Sequence, residues 1–282
     1  HDKASDERKM KPRAVLLTGA DLRHQFVAAR LQATMDLVGI VRTPKRSATR
    51  HIPGDSVEER RVLDSHLAER ASVEASLFSG ATWPRDAGII DAGPAEVNSK
   101  HVARFVEAAK PDVVLLYGTS IVKPPLLDFY RDRLVNMHLG LSPYYRGSGT
   151  NLWPLVDGLP ECVGATIHLA TAKVDGGPIL VQVRPSGLLE TDGPHEVGCR
   201  AIESGAAVLA ESVPAFLNGG LTPSVQVGTG KLCRQADFNA AAVIEVRRRF
   251  AGGMIPAYLE RQDVRDARFP IITARRARAQ VT

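Results

Sequence analysis

The segment DVVLLYGTSIVKPPLLDFYRDRLVNMHLG, residues 112–140, decides the fold. It contains two apolar runs, DVVLLYG (112–118) and RLVNMH (133–138), and each has the length and composition of a buried strand. Between them, Pro124 and Pro125 precede a short helix that we predict from Leu126 to Tyr130. Strands that alternate with helices in this way are typical of an open α/β sheet.

The N-terminal part of the chain repeats this alternation. AVLLTG (14–19) and LVGIVR (37–42) are predicted strands, and the amphipathic stretch between them is a predicted helix. Strand, helix and strand in this order favour a parallel pair with a right-handed crossover. Further helices are predicted over 56–78, where Ser56 and Glu59 form a capping box, and over 99–109, with a weak strand at 87–90.

The C-terminal part is predicted to be more mixed. We expect a helical turn over Asn151 to Asp157, strands at 163–170 and 178–184, a long helix over 194–217, a possible strand at PSVQVG (223–228), and a helix at FNAAAVIEVRRRFAG (238–252) followed by a basic tail. The predicted architecture is therefore an open, mostly parallel, twisted sheet flanked by helices, with a small helical C-terminal extension. We divide the chain into a tag remnant or disordered arm (1–12), a catalytic domain (13–218) and the extension with its tail (219–282).

Composition excludes several classes of protein. The chain has 282 residues, 44% of them hydrophobic and 24% charged, which is ordinary for a soluble globular protein. No apolar run approaches the roughly 20 residues that span a bilayer. The polar N-terminus does not resemble a signal peptide. Cys162, Cys199 and Cys233 have neither metal-ligand nor disulfide spacing. These features predict a cytoplasmic protein with free thiols and no membrane partner.

Most of the net charge of +5 lies in one segment. Residues 261–282 contain six Arg and two Asp, which leaves the rest of the chain close to neutral. A basic tail is more often a solvated extension than a nucleic-acid site. A nucleic-acid partner is therefore not expected, although binding through this tail stays open as an alternative.

Three polar residues suggest chemistry. Asn136 and His138 stand two positions apart on a predicted strand and should face the same side. Asp175 follows in TAKVDGGPIL, where Gly176 and Gly177 allow a tight turn. An amide, an imidazole and a carboxylate suit acyl transfer, because they can stabilise an oxyanion, carry a proton and orient the imidazole. Each motif alone is more often structural, and the spacing between them in the sequence does not show that they meet in one site.

NMHLGLSPYYRG (136–147) and GATIHLATAKVDGGPILVQ (164–182) together resemble the N10-formyltetrahydrofolate-dependent formyltransferases. The shared features are Asn-x-His at a strand end, the loop with a Pro before Arg-Gly, and an Asp 37 residues after the His. A second histidine, His168, precedes the Asp at a similar spacing. The resemblance covers roughly residues 13–217, is strong over 112–182, and implies a formyltransferase-like variant of the Rossmann fold.

Residue roles follow from the resemblance. It implies that Asn136, His138 and Asp175 form the catalytic trio and that no metal is needed. It also implies two sets of contacts. For the folate they are Tyr117, Gly118, Ser120, Ile121, Val122, Leu134, Ala172, Lys173 and Val174, and for the substrate they are Gly19, His24, Arg146 and Ser148. The loop differs from the common His-Pro-Ser-Leu-Leu-Pro, since Leu139 and Gly140 follow the histidine. This departure leaves the acceptor open.

The resemblance implies that a formyl group passes from N10-formyltetrahydrofolate to a primary amine through a tetrahedral intermediate. A methionyl-tRNA acceptor would require a C-terminal β-barrel, and the C-terminal part of this sequence has too few predicted strands to form one. A purine-pathway acceptor would require a phosphate cradle, and the turn after the first strand is not a Gly-rich loop. We therefore expect a small acceptor, either an amino sugar or an amino-acid or natural-product precursor. The alternatives are a formyltetrahydrofolate hydrolase and a folate-, nucleotide- or nucleic-acid-binding module without turnover. For residues 238–260 two interpretations stay open, packing on the core or a homodimer contact.

Overall fold

The structure, a computed structural model, describes residues 10–43, 56–93 and 95–273. Its centre is a seven-stranded sheet in the order β3-β2-β1-β4-β5-β7-β8, and a separate two-stranded sheet pairs β6 with β9. The strands are β1 (Arg13–Thr18), β2 (Asp36–Arg42), β3 (Gly88–Asp91), β4 (Val113–Tyr117), β5 (Leu134–Leu139), β6 (Tyr145–Gly147), β7 (Ala165–Leu169), β8 (Ile179–Val183) and β9 (Lys231–Cys233).

The sheet is parallel over its first five strands and antiparallel at one side. β1 pairs in parallel with β2 and β4, and β4 pairs in parallel with β5. β7 then runs antiparallel to both β5 and β8. The prediction of an open, mostly parallel α/β sheet is confirmed, and β5 is the strand at which the pairing changes direction.

Helices cover both faces of the sheet. They are α1 (Leu22–Leu31), α2 (Val57–Leu77), α3 (Lys100–Ala109), α4 (Leu126–Phe129), α5 (Trp153–Val156), α6 (Pro194–Leu217), α7 (Ala240–Ala251), α8 (Met254–Leu259) and α9 (Gln262–Asp266). Short 3₁₀ turns span Glu96–Asn98, Pro160–Cys162 and Gln235–Asp237. None of the helices within the described residues combines the length and apolar composition of a bilayer-spanning segment.

Strand alternation sorts the apolar side chains into two cores. Leu16 of β1 packs in the core shared with α1 and α6, whereas its neighbours Val15 and Leu17 pack in the core shared with α3 and α4. The predicted capping box of α2 is present, because Ser56 accepts from the Glu59 N–H and Glu59 accepts from the Ser56 N–H. The three cysteines are free and buried, as expected.

The C-terminal part differs from its prediction in three places. PSVQVG (223–228) does not form a strand and contributes a single bridge between Ser224 and Ile179. The three-residue strands β6 and β9 were not predicted. Residues 254–266, expected to lead into a basic tail, form α8 and α9. Residues 1–9 of the predicted arm and 274–282 of the basic tail lie outside the described residues, as do residues 44–55 and 94.

Helix α9 packs against the body of the protein through an ion pair. The Arg265 guanidinium donates to Glu161 Oε2 at 2.6 Å and to Gly158 O at 2.9 Å. The Glu161 side chain is fully buried, and that of Arg265 is 22% exposed. Arg268 lies 3.8 Å from the other carboxylate oxygen, but its side chain is 60% exposed. Arg265 is therefore the principal counter-charge of a buried carboxylate.

Replacing Arg265→Ala should lower the free energy of unfolding by about 3 kcal/mol, because it leaves the Glu161 charge buried without its main partner. Arg268→Ala, the matched control, should cost about 1 kcal/mol or less, since its side chain is exposed. Adding Glu161→Gln to the Arg265→Ala variant should recover part of the loss. Urea unfolding followed by circular dichroism measures all three, and equal losses for Arg265→Ala and Arg268→Ala would contradict this account.

Candidate active site

β5 presents Asn136 and His138 on one face of the sheet, as the two-residue spacing predicts. Met137 between them points to the opposite face and is buried in the core. The antiparallel register places His168 of β7 directly opposite Asn136. The Asn136 Nδ2 and His168 Nε2 atoms are 3.0 Å apart. The switch to antiparallel pairing at β5 therefore adds a second histidine to the pair that the sequence predicted.

The turn between β7 and β8 brings Asp175 to the same place. Asp175 Oδ2 lies 3.3 Å from His138 Nδ1, and Oδ1 accepts a hydrogen bond from Asn136 Nδ2 at 3.1 Å. The Gly147 N–H donates to Oδ2 at 2.9 Å. Asp175 has a φ of 45°, in the left-handed region that residues with a Cβ seldom adopt. The structure therefore brings two of the predicted catalytic residues, Asn136 and His138, into contact with the third, Asp175.

His138 has an acceptor at each ring nitrogen. Its Nε2 lies 3.0 Å from the Tyr145 carbonyl oxygen, and its Nδ1 faces Asp175. Only the imidazolium can donate to both at once, because a neutral ring carries one N–H. Burial lowers the pKa of His138 below its ordinary value, the Asp175 carboxylate and the Tyr145 carbonyl act against burial, and His168 and Arg146 add to the lowering. Opposing effects therefore act on the pKa of His138, which suits a side chain that must gain and lose a proton.

Asp175 is held as a carboxylate. Burial alone would raise its pKa, but His138, His168 and the Gly147 N–H outweigh burial and hold the pKa of Asp175 well below its usual range. Its side chain is 12% exposed. An ionised carboxylate this far from water must be matched by donors, and the structure supplies them from β5 and β6.

The hydrogens of the Asn136 amide are both directed at neighbours. His168 Nδ1 lies 2.8 Å from the Leu169 carbonyl, so that its proton sits there and Nε2 is left to accept. Asn136 Nδ2 then donates one hydrogen to His168 Nε2 and the other to Asp175 Oδ1. An amide donation to an oxyanion, the role expected for Asn136, therefore requires that one of these two bonds be exchanged.

The residues predicted to contact folate fall into two groups. The side chains of Tyr117, Val122 and Leu134 are buried in the cores, so only their backbone groups could meet a ligand. The others lie on the two loops beside the trio and are at least partly accessible. The side chain of Ile121 is 62% exposed and that of Val174 is 36% exposed. This second group consists of Gly118, Ser120, Ile121, Ala172, Lys173 and Val174.

The predicted substrate residues are also divided. The His24 ring is 2% exposed and fills the space beside Gly19 and Gly118, where added Cβ atoms would lie 2.4 and 2.5 Å from it. The expected substrate contact through the His24 side chain is therefore not supported. Arg146 and Ser148 flank Gly147, whose N–H binds Asp175, and both are partly exposed beside the trio.

Sequence reasoning gave no role to several groups at this site. His168 was noted only for its spacing, and its place opposite Asn136 depends on a strand register. The Tyr145 carbonyl and the Gly147 N–H are backbone groups without a side-chain signal. Gln226, which donates to the carbonyls of Asp175 and Gly177 at 2.9 and 2.7 Å, lies in the segment predicted as a strand. No group of three or more His, Cys, Asp or Glu among the described residues could hold a metal ion.

Comparison with known proteins identifies a family to which the sequence is similar. The sequence model described as "Formyl transferase" matches residues 41–213. The chain is 29% identical over 134 residues to a methionyl-tRNA formyltransferase of Bacillus licheniformis, which covers 47% of this chain and 42% of that protein. It is 31% identical over 126 residues to a phosphoribosylglycinamide formyltransferase of Escherichia coli K12, which covers 44% of this chain and 58% of that protein.

A solved structure shares the fold. The phosphoribosylglycinamide formyltransferase from Anaplasma phagocytophilum superposes with a TM-score of 0.54 at 15% identity, over 80% of this chain and 99% of that one. The alignments to the two curated relatives span about two fifths and somewhat more than half of those proteins' lengths.

Replacing Asp175→Asn should lower the pKa of His138 further, because the carboxylate is the strongest of the groups that raise it. NMR of the His138 Cε1–H as a function of pH measures this. In the wild-type protein we expect His138 to titrate below pH 6.5, the ordinary value, and in the variant lower still. An unchanged or raised pKa in Asp175→Asn would show that the two side chains are not coupled in solution.

Proposed function

Because the chain belongs to the formyl transferase family, we propose that it transfers a formyl group from N10-formyltetrahydrofolate to the primary amine of a small molecule. The observation that carries this proposal is the direct contact of Asn136 and His138 with the ionised Asp175. These side chains come from two separate parts of the sequence. Together they offer charge stabilisation and proton transfer at one point.

The surroundings of the trio fit such a formyl donor. Ile121 and Val174 expose apolar side chains on the two loops that border the trio. Apolar surface beside a few fixed polar groups suits a flat ring with a polar edge. The backbone of Gly118 to Val122 and of Ala172 to Val174 would hold the ring system. When bound, the donor supplies an activated formyl carbon.

Asn136 and His138 would stabilise the negative charge that develops on the formyl oxygen as the amine attacks. A single well-placed donor of this kind is worth on the order of 3 kcal/mol. A new carbon–nitrogen bond forms to the amine, and the bond from the formyl carbon to the folate nitrogen breaks. His138 would take the proton that the amine loses and deliver it to the departing nitrogen, which requires its Nε2 to exchange the Tyr145 carbonyl for the reacting groups while Nδ1 stays beside Asp175. Asp175, held ionised, stabilises the imidazolium during this transfer.

The turn after β1 argues against an acceptor whose phosphate binds there. The His24 ring fills the space between Gly19 and Gly118, and its Nδ1 accepts from the Asp21 N–H at 3.0 Å. The N-terminus of α1 is therefore capped by side chains of its own. The matched relatives are named for two different acceptors, methionyl-tRNA and phosphoribosylglycinamide, so their names do not decide the acceptor here.

Arg146 supports an acceptor that carries an anionic group. Its guanidinium lies close enough to His138 to lower the pKa of that ring. Its Nε is buried without a hydrogen-bond partner. Within the described ranges no carboxylate pairs with it, whereas Arg23, Arg184 and Arg265 each have one. A part-buried cation of this kind would receive a carboxylate or phosphate. A nucleotide-linked amino sugar and an amino-acid precursor both provide such a group.

A hydrolase with water as the acceptor would use the same residues. Release of tetrahydrofolate without added amine, compared with release in the presence of amino sugars and amino acids, separates the two reactions. Under our proposal, amine increases the rate and a formamide product appears in the mass spectrum. Equal rates with and without every amine tested would favour the hydrolase.

His138→Ala and Asp175→Asn should each lower kcat by about 100-fold or more, because positioned proton transfer contributes roughly 10²- to 10⁴-fold. Binding of tetrahydrofolate, measured by calorimetry, should change little, since neither residue is expected to hold the ring system. Arg248→Gln on the exposed face of α7 is a suitable control. Either variant retaining more than about a tenth of wild-type kcat would contradict these roles.

Arg146→Gln should raise KM for an anionic acceptor by about tenfold or more, because a hydrogen bond to a charged group is worth about 1.5–3 kcal/mol. KM for the formyl donor should stay the same. The comparison uses pairs of amines that differ only in a carboxylate or phosphate, with Arg248→Gln as the control. If the variant affected charged and uncharged acceptors equally, Arg146 would not be the anion-recognition residue.

A further inference from the structure

The chain between α6 and α7 contacts two segments that build the site, the turn between β7 and β8 and the short strand β6. We define residues 221–233 as the strap. At one end Ser224 and Ile179 exchange backbone hydrogen bonds of 2.7 Å at the edge strand β8. At the other end β9 pairs in parallel with β6, with Gly147 opposite Cys233. The strap lies beyond residue 213, where the match to the family ends.

Between these ends, Gln226 attaches to the turn that carries Asp175. Its Nε2 donates to the Asp175 carbonyl at 2.9 Å and to the Gly177 carbonyl at 2.7 Å. Both amide hydrogens are therefore used on one turn. The neighbours Val225 and Val227 point outward, with exposures of 75% and 85%. Gln226 is thus the residue of this stretch that faces the site.

The Asp175 turn needs such support. Its left-handed φ of 45° is a backbone conformation that residues with a Cβ seldom adopt. Apart from the ladder bonds of β7 and β8, the turn has one internal backbone bond, from the Gly176 N–H to the Lys173 carbonyl at 3.1 Å. The two bonds from Gln226 hold the carbonyls on both sides of Gly176. They fix the direction in which the Asp175 side chain leaves the backbone.

The same strap holds the second partner of that carboxylate. Pairing of β9 with β6 fixes the backbone of Gly147 and Tyr145. The Gly147 N–H donates to Asp175 Oδ2, and the Tyr145 carbonyl oxygen lies within hydrogen-bond distance of His138 Nε2. The strap therefore fixes both the turn that bears the carboxylate and the strand that binds it. A shift of either would change the 3.3 Å separation between Asp175 and His138.

We propose that Gln226 is a positioning residue that, through the backbone of the 175–177 turn, sets the placement of the Asp175 carboxylate against His138. Its effect on catalysis rests on the proposed function, whereas its effect on the geometry does not. The charged and titratable groups that face His138 are Asp175, His168 and Arg146. Of these three, Asp175 is the group whose turn Gln226 binds, so removing the two Gln226 hydrogen bonds acts on His138 by weakening its contact with the carboxylate.

The test compares Gln226→Met, which keeps the length of the side chain but removes both donors, with Val227→Ala in the same stretch. NMR titration of the His138 Cε1–H should give a lower pKa in Gln226→Met, in the direction of Asp175→Asn and by a smaller amount. Val227→Ala should leave it at the wild-type value. In an Asp175→Asn background, Gln226→Met should cause no further change, because the carboxylate through which it acts is absent.

Kinetics give the second readout. Gln226→Met should lower kcat by about tenfold to a hundredfold, as expected for a small misplacement of a catalytic group, with little change in KM for either substrate. An identical His138 titration in Gln226→Met and wild type overturns the inference, whatever the rates. A lowered His138 pKa in a protein that transfers no formyl group to any amine would leave the positioning role standing and reject the proposed function instead.

Discussion

The constraint on which the site depends is the burial of one ionised carboxylate. Asp175 is 12% exposed, and a charge so far from water is tolerated only where several donors reach it. Those donors come from two strands, the Asn136 amide and the His138 ring from β5 and the Gly147 N–H from β6. Each strand must therefore hold its register for the carboxylate to remain satisfied. The need to pair this charge links the end of the parallel sheet, the antiparallel strand beside it and the short β6 into one arrangement.

The change of strand direction at β5 explains why the site forms there. β5 has a parallel neighbour, β4, on one side and the antiparallel β7 on the other. Because β7 runs back along β5, the turn that follows it starts beside Leu134, where the Ala170 N–H bonds to the Leu134 carbonyl at 2.8 Å. That turn then folds over the face that carries Asn136 and His138. A parallel neighbour would have carried the chain into a crossover instead and left this face to a helix.

Much of the fold was predictable from sequence, and the reasons are local. Buried parallel strands such as β4 are continuous apolar runs, and helices such as α2 begin at recognisable caps, so each element carries its own signal. β6 and β9 have three residues each and pair across about 86 positions, so neither shows a period. The alternation in PSVQVG predicted a strand, but the inward residue, Gln226, bonds to a turn instead of joining a ladder. At the site, the spacing of Asn136 and His138 was sufficient to place them on one face. The link of Asp175 to this pair could be predicted only from the resemblance to the formyltransferases. The position of His168 depends on the register of β7, which the sequence does not show.

The network also bears on how Asn136 could act in the proposed reaction. Its two amide hydrogens are divided between a neutral imidazole, His168, and a carboxylate, Asp175. A hydrogen bond to a charged group is worth about 1.5–3 kcal/mol and one between neutral groups about 1 kcal/mol. Exchange of the His168 bond for a bond to a developing oxyanion is therefore the less costly choice, and it leaves the contact with Asp175 in place. His168 would keep its own bond to the Leu169 carbonyl, and its Nε2 would still lie 3.5 Å from Asp175 Oδ1. His168 then accepts the Asn136 hydrogen bond that is broken when the oxyanion forms, while the bond to Asp175 keeps the amide correctly oriented.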